Sequence, residues 1–383
     1  MRFAIIGTGF VADYYMKTLA HMDVLELAGV FDIDQARLSQ FCDYYSVKPY
    51  ASLDAVLQDE TVELIAVLTT PETHYDIVSA ALAAGKHVYC EKPLAMNLDD
   101  ARKLVAQAQS AGLVLAGAPA NAYSDAFKAT SKALQENKIG KPKLVYAEME
   151  DGAVFREKWQ EWRSWSGAPW PGKHEFEIGC TLEHAGYSLS WLISLFGSIK
   201  RITGMSATLF MDKGVEIAAA DMAPDFSTAV LEFENGVIAR LTCGLCAPKD
   251  RSLTIMGEDG TLTVADLWDH SSAIFVERKD QPLSFIFRLF RRLEALRGRF
   301  MAAKPHAGSR LKYKAGKDDH LPAYPSRIDF AAGIDAVRLA ARGEGKSPDQ
   351  LAREALHITE AALVLNRIAD HNGRYEMVSS LSQ

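Results

Sequence analysis

The sequence has no uninterrupted apolar run approaching the roughly 18 residues that a membrane-spanning helix needs, so no span is expected. It has no excess of positive charge either. A net charge of −7 removes the general electrostatic reason to expect nucleic acid as a partner. Cysteine is sparse: Cys42, Cys90, Cys180, Cys243 and Cys246 are odd in number and irregular in spacing. That argues against a secreted disulfide framework and for a reducing compartment, most simply the cytoplasm. Cys243 and Cys246 form a C-x-x-C within VIARLTCGLC, an alternating strand pattern in which residues three apart point to opposite faces. No second Cys or His pair follows at ligand spacing, so no metal site is expected. No basic segment with an apolar core precedes the strand that opens at Arg2, so no signal peptide is expected.

What is present is a soluble composition, 48% hydrophobic and 24% charged, in a chain of 383 residues. That length exceeds one ordinary core and predicts two domains. The first third repeats a pattern. RFAIIG is a strand, Gly7-Thr8-Gly9 a turn, and the residues after it a helix; LELAGVFD is a second strand ending at Asp32. Then come a helix over Gln35–Tyr45, a short strand near Val47, the strand VELIAVLTT, a helix closed by Gly85, the strand KHVYC, a helix over Leu98–Ala111 and the strand LVLAG. Apolar strands alternating with helices predict βαβ units and a parallel sheet.

In that setting the glycine turn carries chemistry. G-x-G-x-x-A runs from Gly7 to Ala12 between a strand and a helix. Gly7 permits the tight turn, Gly9 lets a pyrophosphate approach the backbone, and Thr8, Phe10 and Val11 complete the cradle at the helix N-terminus. Asp32, 20 residues beyond Ala12, stands where a carboxylate accepts ribose hydroxyls. A carboxylate repels a 2′-phosphate and no Arg follows it immediately, so the expected cofactor is NAD rather than NADP. Ligands of such sheets bind at the carboxyl ends of the strands. Two polar groups stand at such ends: Thr69-Thr70-Pro71 and Glu91-Lys92-Pro93. The ammonium of Lys92 would emerge at the edge of the crevice, where it can polarise a carbonyl or hold an alcohol ready to lose its proton.

Beyond residue 120 the pattern changes. A helix near Phe127–Asn137 precedes the strand PKLVYAEME. STAVLEFENGVIARLTC reads as a hairpin turning at Asn235-Gly236, and SLTIMGEDGTLTV as another turning at Asp259-Gly260. Helices are expected over Ser326–Arg342 and Asp349–His371.

These residues resemble the Gfo/Idh/MocA family, named for glucose–fructose oxidoreductase and inositol dehydrogenase. The likeness rests on GTGFVA, TTPETHYDIVSAALAAGKHVYCEKPLAMN, GCTLEHAGYSLSWLISLFG and SRIDFAAGI. It implies an α/β Rossmann domain over 1–120 and an α+β domain over 121–383, whose open, largely antiparallel sheet carries the substrate face and assembles homo-oligomers, as a dimer or tetramer. It implies NAD-dependent hydride transfer to or from a secondary alcohol of a sugar, cyclitol or sugar derivative. Lys92 matches the catalytic lysine of the E-K-P motif, and Thr70, Pro71 and His74 match positions lining the nicotinamide side, beside Glu91. Two rival activities follow from the same resemblance: a glycosidase or epimerase that recycles bound NAD, and a dinucleotide-binding regulator without catalysis.

Two departures stand out. The family helix D-x-x-x-H reads Glu183-His184-Ala185-Gly186-Tyr187 here. Tyr187 is four residues from Glu183 and on its face, whereas His184 lies about 100° around the helix. Tyr187 is therefore the expected proton-exchange partner of Lys92, with the ammonium lowering the phenol pKa and Glu183 positioning the pair or binding a hydroxyl. Asn121 and Ala122 stand where many relatives carry arginine. The stretch Phe155–Phe176 holds four tryptophans among several cations, a composition suited to a sugar derivative or to a subunit contact. Arg163 is its first substrate-binding candidate, ahead of Lys173 and His174. A segment at 283–323 is a basic insertion: Leu283 to Lys317 contains ten Lys or Arg and one acid, Glu294. Its helical wheel over 283–303 sets Ile286, Leu289, Phe290, Leu293, Leu296 and Phe300 opposite Arg288, Arg291, Arg292 and Arg299, a face to bury against the protein or to lay on a membrane.

Overall fold

The computed structural model describes residues 1–282, 284–292, 307–316, 321–322 and 326–381. Five parallel strands open the chain: β1 (Arg2–Ile6), β2 (Glu26–Phe31), β3 (Leu64–Val67), β4 (His87–Cys90) and β5 (Leu115–Gly117). Between them run α1 (Ala12–Leu19), α2 (Gln35–Tyr45), α3 (Leu53–Leu57), α4 (His74–Ala83) and α5 (Leu98–Ala111). All of β3 and the last three residues of β4 are buried, because helices cover both faces of such a sheet. Local chemistry sets the helix ends. Asp34 caps α2 by accepting from the backbone of Ala36 and Arg37, Asn97 caps α5, and Gly112 closes α5 at φ 66°. The strand expected near Val47 is reduced to one bridge between Val30 and Pro49, since Pro49 has no N–H to extend a ladder.

The strand order is β2-β1-β3-β4-β5. The chain leaves β1 to one side and returns to its other side at β3, so the switch point lies between these two strands. Ile6 pairs with Val67, Val67 with Cys90 and Cys90 with Gly117. The carboxyl ends are therefore level, and the turns after β1, β3 and β4 share one edge.

The second half contains α6 (Asp125–Gln135), β6 (Pro142–Glu150), α7 (Gly172–Ile178), α8 (Cys180–Phe196), β7 (Ile199–Ala207), β8 (Phe226–Phe233), β9 (Ile238–Gly244), β10 (Leu253–Gly257), β11 (Gly260–Val264) and β12 (Ile274–Arg278). After them come α9 (Phe285–Arg292), β13 (Ser309–Arg310), α10 (Ala331–Ala341), α11 (Pro348–Asn366) and β14 (Arg374–Glu376). The sheet runs β13-β12-β11-β10-β6-β9-β8-β7-β14. Among the described residues, β6 and β9 are the pair of this sheet that runs in parallel. Asn235-Gly236 joins β8 to β9, with Gly236 at φ 85°. The second hairpin turns one residue earlier than expected, at Glu258-Asp259. Gly260 is already paired with Arg278, and a Cβ there would lie 2.2 Å from the Glu277 carbonyl. One sheet face buries α8; the other leaves Tyr146, Met205 and Val230 exposed.

The last helices return to the first domain. Ala352 and Ala355 of α11 join the buried cluster of β3 and β4, and Gly333 of α10 packs against Tyr89 so closely that a Cβ would lie 2.3 Å from its hydroxyl. The change of sheet falls between β5 and β6, and the chain crosses back later. Of the expected basic amphipathic face, Phe285–Arg292 is helical with Phe285 and Leu289 exposed; residues 293–306 lie outside the described residues. Among the described residues no helix is long and apolar enough to cross a membrane.

Candidate active site

The turn after β1 is shaped by close approach. Gly7 has φ 99°, and a Cβ there would lie 2.7 Å from the Leu68 carbonyl at the end of β3. A Cβ at Gly9 would meet nothing within 4 Å, so that face of the turn is open at the N-terminus of α1, where the first N–H groups have no intrahelical partner. Asp32 is buried and does more than face a ribose. One carboxylate oxygen accepts from the Thr8 N–H at 2.7 Å and its hydroxyl at 3.0 Å, and the other accepts from Asp34 N at 2.9 Å. It ties the glycine turn to the end of β2, and the oxygen bonded to Asp34 retains a lone pair for a further donor. Glycine turn, helix terminus and carboxylate together fit a dinucleotide.

Around the turns after β3 and β4 the expected cofactor-side residues serve as fasteners. His74 is fully buried. Its ring nitrogens lie 2.7 Å from the Pro93 carbonyl and 3.1 Å from the Thr69 carbonyl, bridging the two turns. Burial holds its pKa below the ordinary value, against those two carbonyls. Thr70 accepts from Thr73 N, and Pro71 begins a short 3-10 turn. Glu91 accepts from the Tyr15 hydroxyl at 2.6 Å and from Lys92 N at 3.1 Å, binding α1 to the root of Lys92.

Lys92 crosses to the second domain and pairs with Glu183 on α8. Their side chains are 15% and 11% exposed. Burial opposes the ammonium, but Glu183, then Tyr187, Glu175 and Glu91, outweigh it and raise the Lys92 pKa. Burial opposes the Glu183 carboxylate too, but Lys92 outweighs it and the pKa falls. The pair is charged. His184, expected to face elsewhere, lies in the same cluster: its Nε2 is 3.8 Å from Glu175 Oε2, and burial, then Lys92, push its pKa down to about 3. Tyr187 packs on Trp268, ring centroids 4.7 Å apart. The expectation that Lys92 would lower its phenol pKa is corrected here. Lys92 does pull it down, but burial dominates and Glu91, Glu183 and Glu175 add to it, so the net shift is upward.

The other candidates have partners of their own. Arg163 donates to the carbonyls of Gln160 and Trp162 in its own loop, both at 2.8 Å. Lys173 lies 3.7 Å from Glu177, and His174 Nε2 is 2.9 Å from Glu72 across the domain boundary. Trp159, Trp162 and Trp170 pack with one another and with Phe176. Trp165 alone reaches the first domain, edge-on to Tyr14 at 5.0 Å. Beside it, Ser164 and Ser166 donate to Asp13 of α1 at 2.7 Å, strapping the loop to that helix. Asn121 is buried and donates to the backbone carbonyls of Tyr187 at 2.9 Å and Leu267 at 3.2 Å. It holds the domain crossing against α8.

Glu175 was not anticipated. It lies on α7, separated from α8 by Gly179, so no single helical period relates it to Glu183. Arg251 is the second: buried, 3.0 Å from Asp151 and stacked 3.8 Å over Trp268, it braces the ring on which Tyr187 packs.

A parallel sheet with a glycine cradle at its switch point, and a buried ammonium–carboxylate pair at the same edge, defines a pyridine-nucleotide oxidoreductase. The chain belongs to the GFO/IDH/MocA oxidoreductase family. The family model described as "Oxidoreductase family, NAD-binding Rossmann fold" matches residues 1–118, and that of the GFO/IDH/MocA C-terminal domain matches residues 127–263. Trans-1,2-dihydrobenzene-1,2-diol dehydrogenase of Mus musculus is 24% identical over 286 residues, 74% of this chain and 80% of that one. D-apiose dehydrogenase of Paraburkholderia graminis is 26% identical over 270 residues, 68% of this chain and 67% of that one. Among solved structures, the WlbA dehydrogenase of Bordetella pertussis, in complex with NADH and UDP-GlcNAcA, shares the fold with a TM-score of 0.69 at 18% identity, over 98% of this chain and 97% of that one.

Proposed function

We propose that the protein oxidises a secondary alcohol of a sugar, cyclitol or sugar derivative, or reduces the matching ketone, with NAD(H). The observation that carries this reading is the Lys92–Glu183 pair at the sheet edge that also holds the Gly7–Gly9 turn. When bound, the nicotinamide supplies the hydride acceptor or donor. The chain's own residues handle the oxygen. Lys92 has three N–H donors and commits one to Glu183, leaving others for the substrate oxygen; its charge stabilises the negative character that develops there. Glu183 fixes the direction of the ammonium. Tyr187 keeps its proton at neutral pH and so serves as a hydroxyl donor and proton conduit rather than a resting phenolate. Asp32 supports NAD over NADP, because its carboxylate opposes a 2′-phosphate.

The test is a survey of sugars, cyclitols and nucleotide sugars with NAD+ and NADP+, following formation of reduced nicotinamide and analysing products. Lys92→Ala should abolish turnover and leave dinucleotide binding within about twofold, since uniform binding and oxygen chemistry are separable. Retained turnover in that variant would reject the assignment. Product formed without accumulation of reduced cofactor would favour the cofactor-recycling activity.

A further inference from the structure

The Lys92–Glu183 pair leaves one neighbour unexplained. Gly179, at φ 98°, joins α7 directly to α8, and a Cβ there would sit 2.9 Å from that of Ala223. This tight junction folds α7 back so that Glu175 enters the same pocket. Its side chain is 13% exposed, its Oε2 is buried without a hydrogen-bond partner, and His184 at 3.8 Å is too far to supply one. The pocket then brings Lys92 together with two carboxyl groups, those of Glu183 and Glu175. Glu183 already neutralises Lys92. A second buried charge without a partner is strongly disfavoured, whereas a second carboxyl that keeps its proton is not.

We propose that Glu175 is the proton reserve of the reaction: its uncharged carboxyl refills Lys92 after Lys92 has given a proton to the substrate oxygen. The inference rests on the function proposed above. In reduction, the ketone carbon takes a hydride with its two electrons, and the oxygen takes a proton from the Lys92 ammonium. One C–H and one O–H bond form as the C=O π bond is consumed. Glu175 returns a proton to the Lys92 amine through the Tyr187 hydroxyl, which takes one proton as it passes on another; Glu175 becomes a carboxylate and is reprotonated from water. Oxidation runs the same transfers backwards. Glu175 acts through Lys92 and is a positioning and supply residue, not one in contact with the reacting atoms. Burial and the Glu183 charge hold its pKa well above the ordinary carboxylate range, with Lys92 opposing. The groups facing it are Lys92 after β4, Glu183 and His184 on α8, and Asp151 after β6, itself paired with Arg251. On its own helix, Lys173 pairs with Glu177 and His174 with Glu72.

Glu175→Gln keeps size and neutrality but removes the proton. Infrared difference spectra of the resting full-length protein at neutral pH should show a protonated-carboxyl stretch that this variant lacks. In ketone reduction, kcat should fall about 100-fold, within the range of general acid catalysis. KM and dinucleotide affinity should hold, and the decline of kcat with rising pH should disappear. Glu175→Asp, which restores an acid, should recover part of the rate. A wild-type spectrum without a Glu175-dependent protonated band overturns the inference whatever the substrate is. So does a loss confined to KM with an unchanged pH profile. Absence of turnover on every substrate would instead overturn the proposed function, and the infrared band alone would then decide where the proton sits.

Discussion

Replacing Glu175 by glutamine should change how stability depends on pH, by an amount set by one buried carboxyl. In the unfolded chain the side chain ionises near its ordinary value of 4.5, whereas in the folded protein burial, then the Glu183 charge, keep it protonated well above that. The native state therefore holds a proton that the unfolded state has lost, so this group's stability contribution is full below 4.5 and falls as pH rises toward the folded value. Each such pH unit is worth about 1.4 kcal/mol. With the folded carboxyl protonated up to pH 7, as the proposal requires, and with partial ionisation of the unfolded chain at the lower end, the loss between about pH 5 and pH 7 comes to about 2.5 kcal/mol. Glutamine cannot ionise and has no such loss. Burying its amide N–H groups carries a fixed cost of about 1–3 kcal/mol, which is equal at both pH values and cancels in the difference. Urea unfolding of both proteins at the two pH values supplies the measurement, provided the m-values agree. The wild type should lose about 2.5 kcal/mol relative to the variant on going from the lower pH to the higher. Parallel pH dependences would refute the reasoning, because they would mean that Glu175 ionises in the folded protein as it does in the unfolded one.

Tyr187→Phe should lower kcat about 100-fold if the hydroxyl conducts the proton, with dinucleotide affinity unchanged by calorimetry; near-normal turnover would reject that role. Asp32→Ala removes two hydrogen bonds accepted from Thr8 at the glycine turn and one from Asp34 N, and takes the carboxylate from the ribose, so NAD affinity should fall about tenfold or more, at roughly 1 kcal/mol for each bond the dinucleotide loses. The same variant should narrow the preference for NAD over NADP, and calorimetry with both nucleotides checks each effect. Asp13→Ala removes the acceptor that holds Ser164 and Ser166; hydrogen exchange should then accelerate across the tryptophan loop and leave the strands of the first domain protected.

The parallel half was legible because each of its signals is local. β3 and β4 are short apolar runs, Gly7 and Gly9 stand at a strand–helix turn, and Asp34, Asn97 and Gly112 mark helix ends within a few residues. The register of α8 was legible for the same reason, since four residues along one helix decide that Glu183 and Tyr187 share a face. Charge state was not. The phenol of Tyr187 was expected to feel chiefly the ammonium beside it, but burial is a property of everything packed around it. Arg163 was expected to bind substrate from an aromatic loop, and only the folded loop shows the carbonyls of Gln160 and Trp162 accepting from it. Asp32 was read as a ligand-facing carboxylate, while its bonds to Thr8 and Asp34 need the tertiary approach of two turns. Glu175 enters the site by way of the backbone turn at Gly179, and no period in the sequence spans that turn.

Tyr187 and Glu175 also belong together chemically. An imidazole in the D-x-x-x-H position, with an unperturbed pKa near 6.5, can take up and release a proton at neutral pH by itself. A buried phenol cannot, because its pKa has moved further from neutrality. His184 does not substitute, since burial and Lys92 together keep it neutral down to about 3. In this cluster the carboxyl of Glu175 shifts the other way, its pKa raised by burial and then by the Glu183 charge, so that it holds a proton more firmly than an ordinary carboxyl. On the proposed assignment, in which Tyr187 stands where the resemblance puts a histidine, the site needs an acid elsewhere to store the proton. The double variant Glu175→Gln/Tyr187→Phe separates storage in series with conduction from two independent routes. If the phenol passes the proton that the carboxyl supplies, the double variant should be about as slow as the slower single one, whereas independent contributions would multiply.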